Sequence, residues 1–359
     1  MDLTDSSGTS APLRLNNIQA LRGLAALLVV FFHLWQIELK YSSSPILNDN
    51  FNFGMVGVDL FFLISGFIMV YISSKSGSGP KAVGQFLFAR TTRIYPLYWI
   101  ITTVIFVLYL IWPDMVFSSA TEDPNILTSY LLWPDETFPL LQLGWTLIHE
   151  MGFYWIFGLL LFLPSHFRFG GLFIWAGIVT LGQMQRWYEM NAVTNILFHP
   201  LTYEFLAGAL LAYIYLKIPR LPSWVFLIIG IIGVLICCLL WTGTPIEMFN
   251  HRWHRVLYFT APLSLLLLGA VYLEKDGTTA PTPLIKLGDW SYSLYLTHVL
   301  TLSLIGRIWA PFEQQSLWDN FVVIPIMLGV TIFMAFVTYR VIEKPCINYS
   351  RALRSKWFA

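Results

Sequence analysis

Long apolar segments recur along this chain and are separated by shorter polar stretches. A helix that crosses a bilayer needs about 20 mostly apolar residues. Ten segments reach or approach that length, with predicted bounds at 17–37, 54–73, 92–112, 144–163, 170–185, 200–216, 222–241, 256–273, 288–309 and 320–340. The pattern therefore predicts an all-α fold, a polytopic transmembrane helical bundle of about ten spanning helices.

The polar positions between these segments predict the organisation of the chain. A tail over 1–16 precedes one transmembrane domain over 17–345, and a second tail covers 346–359. The stretch from Asp114 to Leu143 is punctuated by prolines, and its apolar piece Ile126–Trp133 is too short to span, so it is expected to lie on the membrane surface. Pro345 follows the tenth segment and is expected to end that helix.

Composition supports a membrane protein. Hydrophobic residues make up 57% of the chain and charged residues 11%, against about 45–50% and about 25% in soluble domains. The net charge of +1 argues against nucleic acid as a partner, and membrane lipids are the expected surroundings. The three cysteines show no spacing typical of a disulfide framework or a metal site, so no metal ligands are predicted.

The distribution of basic residues predicts the orientation. With the first residue on the cytoplasmic side, sixteen of the 21 Lys and Arg residues fall in cytoplasmic segments, as expected from the preference of positive charge for that side. The first apolar segment lacks the features of a cleavable signal and is expected to remain as a spanning helix. The prediction is a multi-pass protein of the inner (plasma) membrane with both termini cytoplasmic.

The first apolar segment contains two ionisable residues, Arg22 and His33. They are separated by roughly 11 residues, a rise of about 16 Å and close to three turns, so both project from nearly the same helical face. Ionisable groups inside a span are functional candidates, and this pair indicates an internal, water-accessible path. The structural alternatives are an arginine that extends to the interface and a histidine that packs.

Glu150 and Asp59 are predicted at a depth similar to that of His33. A carboxylate beside an imidazole fixes its tautomer and favours its use as a general base, which makes Glu150 a candidate partner of His33. Asp59, at the start of the second segment, is a third candidate at this level. The alternative for Asp59 is a boundary residue that never enters the hydrocarbon.

Two further groups of polar residues accompany the spans. Arg90 and Arg93 lie three apart at the predicted cytoplasmic boundary of the third helix. They can bind phosphates there, or their position reflects only the preference of basic residues for the cytoplasmic side. Ser291, Tyr295 and His298 form one polar stripe in the ninth segment. That stripe faces a cavity or bonds to neighbouring helices.

Taken in order, these motifs resemble acyltransferase family 3, the membrane-bound O-acyltransferases acting on exopolysaccharide, O-antigen or Nod factor. The resemblance runs from Ile18 to Pro345 and is carried by QALRGLAALLVVFFH, GVDLFFLISGF, RTTRIYPLYW, WTLIHEMGFY, FLAGALLA and GDWSYSLYLTH. It implies that Arg22 and His33 are essential, with His33 as the catalytic residue. It also implies that Arg90 and Arg93 bind the acyl-CoA donor and that Glu150 occupies the family's carboxylate position.

The resemblance implies transfer of an acetyl-type group from acetyl-CoA, or another acyl-CoA, to a hydroxyl of a glycan or lipid-linked glycan, without a bound cofactor. His33, oriented by Glu150, would deprotonate the sugar hydroxyl or would itself be acylated, while Asp59, Tyr295 and His298 would help to bind substrate. Two alternatives remain open. The ionisable residues could line a transporter or flippase path, or the chain could be a non-catalytic scaffold.

Overall fold

The computed structural model describes residues 14–113, 123–241, 252–314 and 316–358. Within these ranges the regular secondary structure is helical and no strand is formed. The main helices are α1 (Asn16–Tyr41), α2 (Val56–Ser73), α3 (Pro80–Ile111), α4 (Ile126–Leu131), α5 (Gly144–Leu160), α6 (Ser165–Met184), α7 (Ala192–Leu197), α8 (Thr202–Lys217), α9 (Ser223–Leu240), α10 (Arg252–Lys275), α11 (Thr282–Asp289), α12 (Ser291–Trp309), α13 (Leu317–Thr338) and α14 (Lys344–Trp357).

The predicted all-α bundle is confirmed, and each of the ten predicted segments overlaps one long helix. Eight of the described helices are long and apolar enough to cross a membrane, so the count of about ten is not confirmed. The two that fall short are α5, which has 17 residues, and α12. Large apolar side chains of α9 such as Leu239 are exposed, as expected for a helix that faces lipid. The chain is a multi-pass membrane protein.

Helix α1 lies inside the bundle, where α2, α10, α11, α12 and α13 contact it. Its first amides have no partner within the helix, and a carboxylate from α10 supplies one. The N–H groups of Asn16 and Asn17 donate to the two oxygens of Glu274, each over 2.7 Å. This clamp fixes the first turn of α1 and, through it, the position of Arg22.

Helices α2 and α8 approach each other closely through paired glycines. A Cβ atom on Gly66 would collide with the carbonyl oxygen of Phe205, and one on Gly208 would collide with that of Leu63. Small residues at such crossings let two backbones pack directly in a membrane. One face of α2 is therefore fully occupied by α8, and its residues on another side face α1 and α5.

Two sequence-based helix bounds are wrong. Helix α3 begins at Pro80, well before the predicted start near residue 92, because proline suits the first turn of a helix. Gly79, with φ of 91°, turns the chain immediately before it. Arg90 and Arg93 consequently lie well inside α3 and not at its boundary.

Pro345 does not end the tenth predicted helix. A π-helical turn, Tyr339–Glu343, follows α13, and Pro345 then lies in the first turn of α14. Proline inside a helix clashes with the carbonyl four residues earlier, and the wider turn relieves this, since the Lys344 N–H donates to the oxygen of Tyr339, five residues back. The turn also directs Glu343 inward, where it is 2% exposed.

The predicted tails and surface segment are described only in part. The tail over 1–16 lies outside the described residues as far as residue 13, and the proline-punctuated stretch does so from 114 to 122. Its apolar piece contains a short helix, α4, of six residues. Side chains of α3 hold it in place, since Tyr98 donates to the oxygen of Ser129 over 2.7 Å and Trp99 to that of Tyr130 over 2.9 Å.

Candidate active site

A cavity of about 270 Å³ opens between α1, α2, α3, α5 and α12. We call it the arginine cavity, and the polar residues that line it are Gln19, Arg22, Ser65, Arg90, Arg93, Thr146, Glu150, Tyr154, Ser291, Tyr292 and Tyr295. Six of the residues singled out from the sequence thus line one space, namely Arg22, Arg90, Arg93, Glu150, Ser291 and Tyr295.

The arginine cavity is long in the direction of the helices. Its lining on α2 extends from Ile72 to Val58, a rise of about 21 Å at roughly 1.5 Å per residue. Ile72 lies at the end of the bundle where α1 begins, and Val58 lies towards the opposite end. The cavity therefore crosses much of the roughly 30 Å hydrocarbon thickness of a bilayer.

The three guanidinium groups of the cavity lack a close counterion. Among the described residues, none of Arg22, Arg90 and Arg93 forms an ion pair within 4.0 Å. The Cζ atom of Arg90 lies 5.7 Å from the ring centroid of Tyr154, and its buried Nε has no hydrogen-bond partner. Arg22 donates to Gln19 over 3.3 Å. Such an uncompensated cluster can bind a polyanion such as a phosphate chain.

Two carboxylates lie near these arginines and are held by hydroxyl groups. Glu150 accepts hydrogen bonds from Ser65, over 2.9 Å, and from Tyr154 through the same oxygen. Glu343 accepts one from Ser293 over 2.6 Å, and its nearest charged neighbours include Arg93 and Arg22. The carboxylates thus moderate the positive charge of the cavity without pairing directly with it.

His33 and His298 lie beside the arginine cavity but do not line it. Their ring centroids are 5.0 Å apart, and His298 lies 5.9 Å from the ring of Tyr295, which lines the cavity. The expected hydrogen bond between Glu150 and His33 is not formed. The Nδ1 atom of His33 instead lies 2.9 Å from the side-chain oxygen of Gln36, one turn further along α1.

Both imidazoles carry their proton on Nδ1, because the groups opposite Nδ1 can only accept. For His33 the acceptor is the Gln36 oxygen, and for His298 it is the carbonyl oxygen of Tyr295 at 2.7 Å. The Nε2 atom of each neutral ring therefore carries the lone pair. In His298 this atom is buried and has no hydrogen-bond partner. The pair places proton acceptors next to the deep end of the cavity, near Tyr295.

Asp59, predicted at a depth similar to that of His33 and Glu150, does not line the arginine cavity. It forms a bidentate ion pair with Arg255, with distances of 2.6 and 2.8 Å, and both side chains are at most 3% exposed. Glu204 is completely buried, with Asp59 as its charged neighbour. Both carboxylate oxygens of Asp59 thus accept hydrogen bonds from Arg255.

Sequence reasoning missed several residues of this region. Gln36 and Tyr154 lie one turn from His33 and Glu150, and that spacing was the available signal. Glu204 was detectable as an acid inside an apolar segment. Arg255 gave no such signal, because it lies just before the predicted segment 256–273. In the part of the chain that the structure describes, no group of three or more His, Cys, Asp or Glu residues could hold a metal ion.

Comparison with known proteins gives a consistent result. A family model described as an acyltransferase domain matches residues 15–340. The chain is 31% identical over 314 residues to the exopolysaccharide production protein ExoZ of Rhizobium meliloti, covering 85% of this chain and 93% of that protein. It is 23% identical to the peptidoglycan O-acetyltransferase OatA of Listeria monocytogenes, covering 95% of this chain but 58% of that protein. No solved structure matches.

Proposed function

Because the chain belongs to the acyltransferase 3 family, we propose that it is a membrane O-acyltransferase that moves an acetyl-type group from acyl-CoA to a hydroxyl of a glycan. The glycan is an exopolysaccharide or its lipid-linked precursor, by analogy with the relative named as an exopolysaccharide production protein. The observation that carries this proposal is the arginine cavity, whose three unpaired guanidinium groups suit the phosphates of a CoA thioester.

The donor enters at the end of the bundle where α1 begins. Arg22 and Arg93 bind its phosphates, and the thioester arm extends along α2 to Tyr295. Acyl-CoA is a cytoplasmic metabolite too polar to cross a bilayer, so this end is cytoplasmic in the proposal. The preference of basic residues for the cytoplasmic side supports the same orientation, in the inner (plasma) membrane with both termini in the cytoplasm.

The transfer itself needs a base, and we assign this role to His33. Its Nε2 takes the proton of the sugar hydroxyl as the hydroxyl oxygen attacks the thioester carbonyl carbon. The carbon–sulfur bond then breaks, and the departing CoA thiolate receives that proton to become the free thiol. A positioned base of this kind contributes about 10²–10⁴ in rate. In the covalent variant, His33 attacks the thioester first and the hydroxyl then attacks the acylated imidazole.

Glu150 has a different role in this proposal from the one expected from the sequence. Its carboxylate bonds to Ser65 and Tyr154, while Gln36 orients His33. Glu150 therefore tunes the charge of the donor cavity and holds Tyr154 against Arg90. His298 lies between the cavity and His33 and supplies a second proton acceptor next to the reacting groups.

The test is transfer of radiolabelled acetyl from acetyl-CoA into glycans by membranes that contain the protein. We expect label with the wild type, a loss of at least a hundredfold with His33→Ala, and no change with His166→Ala, an exposed histidine. Equal label with His33→Ala removes His33 from the mechanism. Glycan export without any label would instead favour the transporter alternative.

A further inference from the structure

A second cavity, of about 370 Å³, lies at the end of the bundle opposite the start of α1. Its walls come from the loop at 134–139, the first turns of α5, helix α7, the turn at 199–201 and Arg255 of α10. None of the residues that line it lines the arginine cavity. It is therefore a separate space, and the transfer mechanism described above uses none of the residues that line it.

The charges of this second cavity exclude a phosphate-bearing ligand. Among the residues that line it, Arg255 is the one cation, and Asp59 already accepts two hydrogen bonds from it, from Nε and Nη2. The acids are Asp135 and Glu136. Asp135 accepts a hydrogen bond from Thr128 over 2.7 Å, which lowers the pKa of its carboxyl below the usual value and keeps it ionised at neutral pH.

The polar and aromatic side chains suit a ligand rich in hydroxyl groups. Trp145 contacts His149 with ring centroids 5.9 Å apart, and His149 contacts His199 at 4.5 Å. The Leu201 N–H donates to Nδ1 of His199 over 3.2 Å, so neutral His199 carries its proton on Nε2. Asn195 adds an amide. Aromatic faces combined with a few directional polar groups are typical of sites that orient an uncharged ligand.

Helix α5 separates the two cavities. Successive side chains of a helix are rotated by about 100°, so the first two turns of α5 present different residues on its two sides. The arc on the second cavity contains Trp145, Ile148 and His149. The arc on the arginine cavity contains Thr146, Leu147 and Glu150. Thr146 also bonds to the hydroxyl of Tyr295 over 2.8 Å, which places the α5 wall between the two spaces at the deep end of the donor cavity.

We propose that the second cavity binds the sugar of the acceptor, and we call it the acceptor cavity. One pyranose unit of the acceptor lies against Trp145 and bonds to Asn195, His199 and the carboxylate of Glu136, while the hydroxyl that reacts at His33 belongs to a neighbouring unit of the same glycan. This inference rests on the proposed transferase function. It adds to that function a site, a ligand class and an entry side, which is opposite to the side of the donor.

The experiment uses the full chain in lipid nanodiscs, with labelled acetyl-CoA as donor. The acceptor probes are unacetylated oligosaccharides released from the glycan of cells that lack the gene and, in a second arm, the lipid-linked precursor from the same cells. Asn195→Trp fills the acceptor cavity. Leu197→Trp places the same side chain on the same helix at an exposed position outside it.

We expect Asn195→Trp to raise the acceptor KM at least tenfold while the KM for acetyl-CoA stays within twofold, which also shows that the protein is folded. Leu197→Trp should change neither. Asn195→Ala, a milder change, should raise the acceptor KM a few-fold. An effect in one arm only identifies free or lipid-linked sugar as the ligand.

The inference is overturned if Asn195→Trp and Asn195→Ala leave the acceptor KM unchanged, or if both KM values rise together in both variants. In those cases wild-type transfer persists, and the proposed function survives without this cavity. Absence of transfer by the wild type with both probes contradicts the transferase and, with it, the acceptor cavity.

Discussion

The two cavities of this protein differ in whether a carboxylate pairs with their arginines. In the arginine cavity, three guanidinium groups share a narrow space and none has an ion-pair partner within 4.0 Å among the described residues. In the acceptor cavity, Arg255 is bound by Asp59 and is 2% exposed. An unpaired buried cation is costly in a membrane, and the proposed anionic donor would compensate this cost in the arginine cavity. A paired cation is retained for structure.

The ion pairing of a buried charged residue therefore indicates more about its role than its residue type does. Arg22, Arg93 and Arg255 all lie in or near apolar helices, yet of these three only Arg255 has an ion-pair partner among the described residues. Likewise Glu150 faces the arginine cavity, whereas Asp59 and Glu204 are buried beside Arg255. The predictions below separate the ligand-binding charges from the structural ones.

The largest effect is expected from breaking the buried pair. Arg255→Met leaves Asp59 and Glu204 without a cation, and loss of one partner of a buried ion pair costs about 3–5 kcal/mol. Thermal unfolding in detergent should therefore occur at a markedly lower temperature. The matched control is Arg186→Met, which removes an exposed ion pair with Glu189 and should shift unfolding little. Equal unfolding temperatures for Arg255→Met and the wild type would remove the structural role of this pair.

The next effect concerns the donor. Arg93→Gln removes one unpaired cation from the arginine cavity, and a charge-assisted contact is worth about 1.5–3 kcal/mol, so the KM for acetyl-CoA should rise by roughly 10–100-fold. The KM for the acceptor should stay unchanged. Steady-state kinetics with each substrate varied in turn measures both, with Arg220→Gln, an exposed arginine, as the control. A rise in the acceptor KM alone would reverse the assignment of the two cavities.

A smaller effect is expected at Glu150. Glu150→Gln keeps an acceptor for Ser65 and Tyr154 but removes the negative charge beside the arginines. The KM for acetyl-CoA should fall and kcat should change by less than about tenfold, below the 10²–10⁴ range of a catalytic base. A hundredfold loss of kcat would return Glu150 to the catalytic role expected from the sequence.

The smallest effect is expected in the wall between the cavities. Tyr295→Phe removes the hydrogen bond to Thr146, worth about 0.5–1.5 kcal/mol, so the unfolding temperature should fall by a few degrees at most. Tyr349→Phe, at a position 68% exposed, should have no effect. A loss of transfer without any change in unfolding would show that the Tyr295 hydroxyl acts on substrate.

The sequence predicted this fold through apolar segments and this site through local spacing. The spacing of Arg22 and His33 on one helix and the polar stripe from Ser291 to His298 were readable because a helix fixes its own geometry. The resemblance to a family supplied roles for Arg90 and Arg93. The first two of these inferences depend on residues within about a dozen positions of one another, where helical geometry dominates, whereas the resemblance depends on motifs along nearly the whole chain.

Pairings between distant segments could not be read in this way. Asp59 and Arg255 lie 196 positions apart, and nothing in either segment indicates the other. Glu150 and His33 lie at similar predicted depth, but rotation of each helix about its axis decides whether they meet, and here they bond to Ser65 and Gln36 instead. The start of α3 was missed because the apolar pattern marks where lipid begins and not where the helix begins.

The clamp on the first turn of α1 has a consequence for biogenesis. The amides of Asn16 and Asn17 bond to Glu274, which lies 258 and 257 positions later in the chain. During synthesis these amides stay without that partner until α10 has left the ribosome and entered the membrane. Arg22 lies less than two helical turns from this clamp, so its final position also depends on the insertion of α10.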